Sequence, residues 1–389
     1  MKPTPILFLG DSPDLHTGLG RIGRDLAVLT SSLPEFRVGY LGRGGTGSRK
    51  LPFMQYTYCE CGQWGQGNIE QVWHDFAGDE WGIIMSVWDA SRLLWFVHPE
   101  GMPQRTIDFL QSGRFARWGY FAVDSVGVGG KLSTATRSTI AGYDRPLGYG
   151  MWGAHVISES IGREVDWMPH GMNLDRWVRR DREAARMAMG FQKGEIWVGM
   201  VATNQARKDW GLAFSTISEL RHRHKNLKFW AHTDVMQRSH SWNIDSLIHD
   251  FGLQDHVKVT LSGAYTDTQL SYAYTACDVT MLASTGEGFG YPIVESLACG
   301  TPVVHGNYGG GAELVPSANW LVEPQAWRLE GIHNCLRPVY DPPAWATTIE
   351  RVLDEKVSPD FCRQAISHLA WEILWPACWQ KWMKAGVPA

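Results

Sequence analysis

Several features that would assign a protein to a class at once are scarce in this sequence. Its 389 residues include only 7 cysteines, an odd number, and just Cys59 and Cys61 lie close together, as Cys-x-Cys. A disulfide scaffold or a structural zinc site is therefore not expected, and a reducing compartment is favoured. No apolar run reaches the roughly 18 to 20 residues of a membrane-spanning helix, and the short apolar start that Asp11 closes does not read as a signal peptide. We expect a cytoplasmic protein without a membrane span.

Strong net charge is also lacking, because 36 Lys and Arg residues oppose 40 Asp and Glu residues, which gives a formal net charge of −4. No field of the whole chain would therefore attract nucleic acid or an anionic membrane. Tryptophan, in contrast, is abundant, with 20 residues. Most of them are expected to pack in the core or at interfaces, although tryptophan also stacks on sugar rings and nucleobases.

Strand-like and helix-like segments alternate along most of the chain. Apolar runs predict strands at residues 6–9, 81–88, 118–123, 155–158, 166–169, 196–202, 227–232, 257–261, 279–283 and 302–305. Helical spacing of apolar residues predicts helices at 21–33, 210–224, 244–251, 268–276 and 293–299. The five glycines within residues 39–48 predict a loop. Strands that alternate with helices favour parallel α/β layers.

Two such alternating runs lie on either side of the polar stretch 173–186, which predicts two Rossmann-like domains. We place these domains at residues 1–175 and 176–368, followed by a tail at residues 369–389. The tail carries apolar residues at the spacing of a one-sided helix, which must pack on another part of the protein. Pro376 within it predicts a kink or a break. The apolar residues of the tail are Trp371, Leu374, Trp375, Cys378, Trp379 and Trp382.

The most informative segment covers residues 284–304, with the sequence STGEGFGYPIVESLACGTPVV. A glycine-rich loop after a strand lets the backbone come close to a ligand. Pro292 suits the first position of a helix and Gly300 its C-terminal cap. The free N–H groups at the start of that helix favour an anion such as a phosphate. Glu287 and Glu295 lie near the helix start, where a carboxylate can accept the hydroxyl donors of a sugar.

The string Glu-Gly-Phe-Gly-Tyr-Pro-x-x-Glu, followed by Ala-Cys-Gly-Thr-Pro-Val-Val, resembles the signature of retaining nucleotide-sugar glycosyltransferases of glycosyltransferase family 4. The resemblance implies the α/β GT-B fold, in which two Rossmann-like domains with parallel sheets face a central cleft and a C-terminal helix crosses back to the first domain. It also implies transfer of a sugar from a UDP- or GDP-sugar to a hydroxyl group of a saccharide, lipid, protein or modified DNA base. The favoured mechanism is front-side attack, in which the leaving diphosphate helps to take the acceptor proton. No cofactor is expected, and no Asp-x-Asp string near the signature calls for a metal.

The resemblance assigns roles to individual residues. Glu295 would bind the ribose hydroxyls of the donor, and Glu287 the hydroxyls of the transferred sugar. Lys208 matches a family lysine, but Thr203 stands where the family carries arginine, so Arg207 is the candidate for the second cation. The other donor-side candidates are the backbone around Gly288, Phe289, Gly290 and Tyr291, the base-stacking Tyr265, and the loop of Gly18 and Gly20. Segments 168–173 and 309–314 also resemble family motifs.

The first domain is expected to hold the acceptor. Asp124 follows an apolar strand, which is where α/β sheets place ligand-facing residues, and it is the best acceptor-side candidate. His16, Thr17 and His98 are further candidates. The oligomeric state does not follow from the sequence.

Three other functions stay open at this point. One is a hydrolase or phosphorylase that cleaves an activated sugar on the same fold. Another is a non-catalytic nucleotide-sugar binding protein, which the missing arginine at Thr203 would favour. The last is a glycosyltransferase that acts on a flipped-out hydroxymethylated base of DNA, as in phage DNA modification. Basic clusters within residues 176–186 and 221–225, with Trp177 available for stacking, would support it, although such clusters are more often solvated helix faces.

Overall fold

The computed structural model describes residues 2–58, 64–234, 242–331 and 334–387. The chain divides into two compact units. The first unit contains Met1–Gly171, His333–Cys335 and Glu372–Ala389, and the second unit contains Met172–Ile332 and Leu336–Trp371. The main division therefore falls after Gly171, four residues before the end of the first domain as predicted from the sequence. Cys59 and Cys61 lie outside the described residues.

A seven-stranded parallel sheet forms the centre of the first unit, in the order β3-β2-β1-β4-β5-β7-β8. Its strands are β1 (Thr4–Asp11), β2 (Phe36–Arg43), β3 (Met54–Tyr58), β4 (Gly82–Val87), β5 (Phe115–Phe121), β7 (Arg145–Gly148) and β8 (Asp166–Trp167), while the two-residue strand β6 (Val126–Gly127) is not part of this sheet. The helices are α1 (Gly18–Ser31), α2 (Ile69–Ala77), α3 (Leu94–Val97), α4 (Gln104–Leu110), α5 (Thr134–Ala141) and α6 (Met151–Ile161). The strand order reverses between β1 and β4, so the carboxyl ends of these two strands flank a topological switch point.

Apolar residues fix the position of this sheet in the core. Ile6, Leu7, Phe8 and Leu9 of β1 are all fully buried, as expected for a parallel strand that is covered on both faces. An aromatic cluster fills the space between sheet and helices, and the ring centroids of its contacting pairs lie 4.9 to 6.3 Å apart. It comprises Trp73, Phe96, Phe109, Phe115, Phe121 and Tyr143.

A second parallel sheet, of six strands, forms the centre of the second unit in the order β11-β10-β9-β12-β13-β14. Its strands are β9 (Ile196–Val201), β10 (Leu227–His232), β11 (Val257–Thr260), β12 (Val279–Leu282), β13 (Val303–Gly306) and β14 (Leu321–Val322). The helices are α7 (Arg182–Met189), α8 (Trp210–Arg223), α9 (Ile244–Asp250), α10 (Asp267–Ala276), α11 (Tyr291–Ala298), α12 (Pro342–Asp354) and α13 (Pro359–Ala365). Two further strands, β15 (Ala326–Glu330) and β16 (Cys335–Val339), are hydrogen-bonded neighbours. Here the order reverses between β9 and β12, which is the Rossmann arrangement.

The tail consists of α14 (Trp371–Leu374), a π-helical turn (Trp375–Trp379) and α15 (Gln380–Ala385). At Pro376, where a kink or a break was predicted, a π turn interrupts the α-helix, because proline has no N–H to donate. Trp379 is fully buried, donates from Nε1 to the carbonyl oxygen of Pro169 at 3.1 Å and packs on Tyr120 at 4.8 Å. Trp382 packs on Trp118 at 5.0 Å. The aromatic side chains therefore anchor the tail within the first unit.

Two elements differ from the prediction. Residues 155–158 were expected to form a strand but lie inside α6, because a short segment with only Val156 and Ile157 apolar looks the same in a buried strand and a buried helix. Residues 39–43 were expected to be loop but belong to β2. A Cβ on Gly39 would lie 2.9 Å from the Phe76 ring, and one on Gly42 would lie 2.8 Å from the Ser12 Cα. These glycines therefore permit close packing of a strand and do not form a turn.

Candidate functional site

Two loops meet at the carboxyl ends of β9 and β12, the switch point of the second unit. The Thr285 backbone N–H donates to the carbonyl oxygen of Arg207 at 2.7 Å. The Arg207 guanidinium in turn donates to the carbonyl oxygen of Gly286 at 2.7 Å. Open α/β sheets bind their ligands at such a point. The structure therefore joins the predicted basic segment to the predicted glycine-rich loop.

Helix α11 begins directly after this loop. Gly290 is its N-cap and has a φ angle of 104°, a left-handed conformation that favours glycine. The helix starts at Tyr291, so Pro292 occupies the second helical position and not the first. Gly300, with a φ angle of 77°, follows the cap residue Cys299 as predicted for a helix end. The first N–H groups of α11 consequently face the side of the sheet where the loops meet.

Glu287 lies in contact with both basic residues. Its Oε1 atom accepts a hydrogen bond from Nζ of Lys208, and its Oε2 atom lies 3.5 Å from the Arg207 guanidinium. Glu287 and Lys208 are only 5% and 7% exposed. Burial would raise the pKa of Glu287, but the charges of Lys208 and Arg207 outweigh it and lower that pKa to about 2. Glu287 is therefore a carboxylate at neutral pH, fixed between two cations.

Three consecutive glycines, at residues 309–311, pack against the loop that carries Glu287. The Gly310 N–H donates to the carbonyl oxygen of Glu287 at 2.9 Å. A Cβ on Gly310 would lie 2.3 Å from the carbonyl oxygen of Gly288, and Gly309 has a φ angle of 76°. Only glycine fits such a close approach of two backbones. Segment 309–314, which resembled a family motif, thus packs directly on the loop that carries Glu287.

His305 is a neighbour of this loop that the sequence analysis missed. Its imidazole is 1% exposed and hydrogen-bonds from Nδ1 to the carbonyl oxygen of Leu282 at 2.7 Å. Its Nε2 atom has no hydrogen-bond partner among the residues that the structure describes, and a Cβ on Gly311 would lie 2.6 Å from it. Burial lowers the pKa of His305, so the ring is neutral. The position of His305 at the carboxyl end of a predicted strand was the signal that could have identified it.

Glu295, in α11, has a different partner. The Tyr274 hydroxyl in α10 donates to its Oε2 atom at 3.0 Å, and Glu295 is 6% exposed. Burial raises the pKa of Tyr274 well above its ordinary value, and the charge of Glu295 raises it further. The phenol is therefore a permanent hydrogen-bond donor that orients the carboxylate. The sequence predicted a helix at residues 268–276 but gave no role to Tyr274 within it.

Tyr265 follows β11 at the carboxyl edge of the sheet, as expected. Its ring lies 5.3 Å from that of His232, the last residue of β10. Burial lowers the pKa of His232 to about 4, so this imidazole is neutral at physiological pH. Nδ1 of His232 is hydrogen-bonded to Oγ1 of Thr260 at 2.8 Å. Tyr265 and His232 thus form a half-buried aromatic pair.

The predicted acceptor-side residues and the predicted glycine loop belong to the first unit. Gly18 begins α1, and the N–H of Gly20 donates to the side chain of the N-cap Thr17 at 3.0 Å. Thr17 donates to Asp11 at 2.9 Å, and Asp11 also accepts from the Trp88 indole at 3.0 Å. The hydrogen bond from Trp88 to Asp11 connects the carboxyl ends of β4 and β1, a contact that the sequence did not predict.

Two further acceptor-side candidates lie elsewhere in the first unit. Asp124 follows β5 by three residues and accepts a hydrogen bond from the Ser125 hydroxyl at 3.1 Å. His98 is hydrogen-bonded to Ser138 at 2.7 Å. The sequence placed Asp124 correctly after a strand.

Three arginines of the basic cluster at residues 176–186 have partners within the second unit. Arg182 and Arg186 form ion pairs with Asp278 at 2.7 and 3.4 Å, and Arg180 donates to Ser271 at 3.0 Å. Trp177 is 1% exposed, so its ring is not available for stacking on a base.

The described ranges contain no group of three or more His, Cys, Asp and Glu residues that could hold a metal ion. Among the helices within those same ranges, none is both long and apolar enough to cross a membrane.

Comparisons with known proteins agree with this architecture. Residues 181–362 match the model of the family described as glycosyl transferases group 1. A D-inositol 3-phosphate glycosyltransferase from Mycolicibacterium gilvum is 29% identical over 209 residues, which cover 53% of this chain and 42% of that protein. A protein of the same description from Segniliparus rotundus is 28% identical over 174 residues, or 43% of this chain and 38% of that protein. The match thus spans less than half the length of these curated relatives.

Solved structures are similar over nearly the whole chain. Sucrose-phosphate synthase from Thermosynechococcus elongatus has a TM-score of 0.74 and 17% identity, with 98% of this chain and 99% of that chain covered. The Anabaena protein HepE in complex with UDP has a TM-score of 0.70 and 14% identity, with 98% and 100% covered. At this identity the likeness concerns the fold. The chain has the GT-B fold, as predicted, and its residues 181–362 match a glycosyltransferase group 1 domain.

Proposed function

We propose that this protein is a retaining glycosyltransferase of family 4 that transfers a sugar from a nucleoside diphosphate sugar to a hydroxyl acceptor without a metal ion. The observation that carries the proposal is the buried contact of Glu287 with Lys208 and Arg207 at the start of α11. Two cations and a helix N-terminus converge there on the position where a diphosphate would bind.

The chemistry follows from the charge that develops during transfer. The bond between the anomeric carbon and the diphosphate oxygen breaks while the acceptor oxygen attacks the same face of the sugar, and the leaving oxygen takes the acceptor proton. Negative charge therefore grows on the diphosphate. Lys208 and Arg207 would stabilise that charge in a site of low dielectric constant, where such interactions are strongest. Glu287 holds both cations in place, so they need no reorganisation during the reaction.

Thr203 stands where the family carries an arginine, and Arg207 is the candidate for the role of that arginine. Its guanidinium is held by both Gly286 and Glu287, on the loop that would surround the diphosphate. In this proposal, Glu295 binds the ribose hydroxyls, with Tyr274 fixing its orientation at 3.0 Å. Asp124 and the loop of Gly18 and Gly20 would serve the acceptor and the diphosphate from the first unit.

The similar proteins guide the choice of substrates. HepE was solved with UDP-glucose, which favours a UDP-sugar as the donor to test first, with GDP-sugars next. The curated relatives are described as acting on D-inositol 3-phosphate, a hydroxyl acceptor. We propose no cofactor and a cytoplasmic location, in keeping with the free buried Cys277, Cys299 and Cys362.

The decisive experiment is a donor screen by thermal unfolding with UDP-, GDP-, ADP- and TDP-sugars. A ligand at a hundredfold excess over its Kd stabilises the folded state by about 2.7 kcal/mol. We expect stabilisation by at least one nucleotide sugar, a weaker effect in Glu295→Ala, and an unchanged effect in the control Glu183→Ala, which alters an exposed residue of α7. Flat curves for all four classes would remove the proposal.

Turnover assays separate the remaining functions. Free sugar released from donor alone, at the rate seen with acceptor, would indicate a hydrolase, and binding without turnover would indicate a binding protein. NMR of the product would report whether the anomeric configuration is retained. Acceptor binding that weakens steeply with salt would indicate DNA.

A further inference from the structure

The carboxyl ends of four neighbouring strands carry a row of charged and aromatic residues at the switch point of the first unit. Asp11, Arg43 and Tyr58 are the last residues of β1, β2 and β3. Asp11 is paired with Arg43 and Arg43 with Tyr58, so the three side chains leave the same face of the sheet side by side. Trp88 directly follows β4 and extends the row, since its indole donates to Oδ1 of Asp11 at 3.0 Å. Open α/β sheets bind their ligands at such an edge.

Two guanidinium groups are stacked on one aromatic ring in this row. The guanidinium carbon of Arg43 lies 4.2 Å from the centroid of the Trp64 ring, and that of Arg92 lies 4.7 Å from it. Trp88 packs edge-on against Trp64 at 5.3 Å. A guanidinium that stacks on a ring through its flat face can still donate from its N–H edge. The two arginines are therefore held in place as donors for an oxyanion, which guanidinium groups bind with paired hydrogen bonds.

The carboxylates of the row are engaged in ways that leave Arg92 able to bind a ligand. Both oxygens of Asp11 accept from neutral donors, Oδ1 from Trp88 and Oδ2 from the Thr17 hydroxyl at 2.9 Å. Nη1 of Arg92 lies 3.7 Å from Oδ1 of Asp11, a distance longer than a hydrogen bond. Asp89 pairs with Arg92 at 3.1 Å, but its side chain is 41% exposed, so water screens that pair. An anionic ligand would therefore compete for Arg92 with a weak partner.

Tyr58 adds a buried hydroxyl to the same place. It is 6% exposed, and within the described part of the chain its hydroxyl has no hydrogen-bond partner. Burial raises the pKa of Tyr58, so the phenol keeps its proton and can donate. The hydroxyl lies beneath the stacked rings, because a Cβ on Gly65, the neighbour of Trp64, would be 3.6 Å from it. A buried donor without a partner is costly, so a ligand that accepts from it would be favoured.

We propose that Arg43, Arg92 and Tyr58 bind a phosphate group of the acceptor. All three side chains donate hydrogen bonds, and the oxygens of Asp11 are already in use, so the set lacks the acceptors that a neutral sugar hydroxyl would also need. A phosphate group offers three strong acceptor oxygens and negative charge. This inference rests on the proposed function and names the acceptor class that it leaves open, a phosphorylated hydroxyl compound.

The test compares phosphorylated acceptors with their unphosphorylated partners: glucose 6-phosphate with glucose, and glycerol 3-phosphate with glycerol. Rates are measured with UDP-glucose, or with the best donor of the screen, and binding of glucose 6-phosphate is measured by calorimetry. We expect wild type to prefer the phosphorylated member of each pair. Its KM should rise about 10- to 100-fold in Arg43→Gln and in Arg92→Gln, the usual range for a hydrogen bond to a charged group, with little change in kcat. Tyr58→Phe should raise KM less.

The control is Arg105→Gln, which alters an arginine of α4 whose side chain is 75% exposed, and it should behave as wild type. Thermal stabilisation by the donor should stay at the wild-type value in every variant, because the proposed donor-binding carboxylates and cations belong to the second unit. This measurement separates a lost phosphate site from a protein that fails to fold.

The remaining outcomes distinguish the sources of the anion and the ways in which the inference can fail. Preference for phosphatidylinositol in micelles over the soluble phosphates would support the phosphate site and assign it to a lipid headgroup. Preference for glucuronate, or equal use of both members of each pair, would overturn the inference and leave the donor site standing. Binding of glucose 6-phosphate that survives the double variant Arg43→Gln with Arg92→Gln would place the phosphate elsewhere. A wild-type protein that binds no nucleotide sugar fails the proposed function itself, and the acceptor role with it.

Discussion

Arg207 and Gly286 are joined by a hydrogen bond of 2.7 Å, from the guanidinium of one to the carbonyl oxygen of the other, although 79 residues separate them in the sequence. The bond brings the Arg207 cation to Gly286, the residue that precedes Glu287. It also connects the loops that follow β9 and β12. Because both loops are held to one another, a change in either is expected to disturb the charges of both.

Lys208→Ala is expected to lower kcat by about 10²- to 10³-fold, the usual effect of removing one stabilising donor from a transition state. It should also destabilise the protein by about 3–5 kcal/mol, because Glu287 is left buried without its nearest cation. Steady-state rates and urea unfolding measure the two effects. The double variant Lys208→Ala with Glu287→Gln should recover stability but not activity, and Lys193→Ala, at an exposed position, should change neither. A Lys208→Ala protein with wild-type kcat would contradict the assigned role.

The stability of the protein should depend on Glu287 at acidic pH. Burial raises the pKa of this group, yet its two cationic neighbours lower it from 4.5 to about 2. A depressed pKa in the folded state adds stability that is fully present above the unfolded value and is lost as pH falls from 4.5 towards 2. Urea unfolding between pH 6 and pH 2.5 should show a steeper loss for wild type than for Glu287→Gln. Parallel curves for the two proteins would show that the ion pairs do not contribute.

Tyr274→Phe removes the hydroxyl that orients Glu295 and should weaken UDP binding about tenfold, since a hydrogen bond to a charged group is worth about 1.5–3 kcal/mol and only part of it bears on the ligand. The same factor is expected for UDP and for UDP-sugar, because the ribose is common to both. Isothermal titration calorimetry measures both affinities. Tyr272→Phe, two residues away in the same helix, is the matched control and should bind as wild type. Unchanged affinity in Tyr274→Phe would remove Glu295 from the ribose site.

Gly310→Ala should displace the loop that carries Glu287, because the added Cβ would lie 2.3 Å from the carbonyl oxygen of Gly288. We expect a loss of about 1–3 kcal/mol in the free energy of unfolding and a large loss of activity. Gly153→Ala is the control, since its Cβ would meet nothing closer than 3.7 Å inside a helix, and it should be neutral or slightly stabilising. A Gly310→Ala protein that is as active as wild type would contradict the tight packing of the two loops.

Local signals carried most of what the sequence could predict. The strand before the signature, the glycine-rich loop and α11 were all predicted within two residues, because glycine, proline and apolar periodicity act over a few positions. The contact of Lys208 with Glu287 spans 79 residues and depends on β9 and β12 being neighbours, which alternation of strands and helices does not specify. The same limit applies to Tyr274 and Glu295, which lie on different helices. The strand prediction for residues 155–158 was wrong for a different reason, since a segment of four residues with two apolar side chains contains no measurable period.

The anchoring of the tail has a consequence for biosynthesis. Trp118 and Tyr120 are covered by Trp382 and Trp379, which the ribosome adds only after the entire second unit has been made. During translation the first unit therefore exposes an aromatic surface until residues 379–382 have been synthesised. A nascent chain that stalls before residue 379 would expose this surface for longer, and it would be a target for chaperones even though most of its strands are already in place.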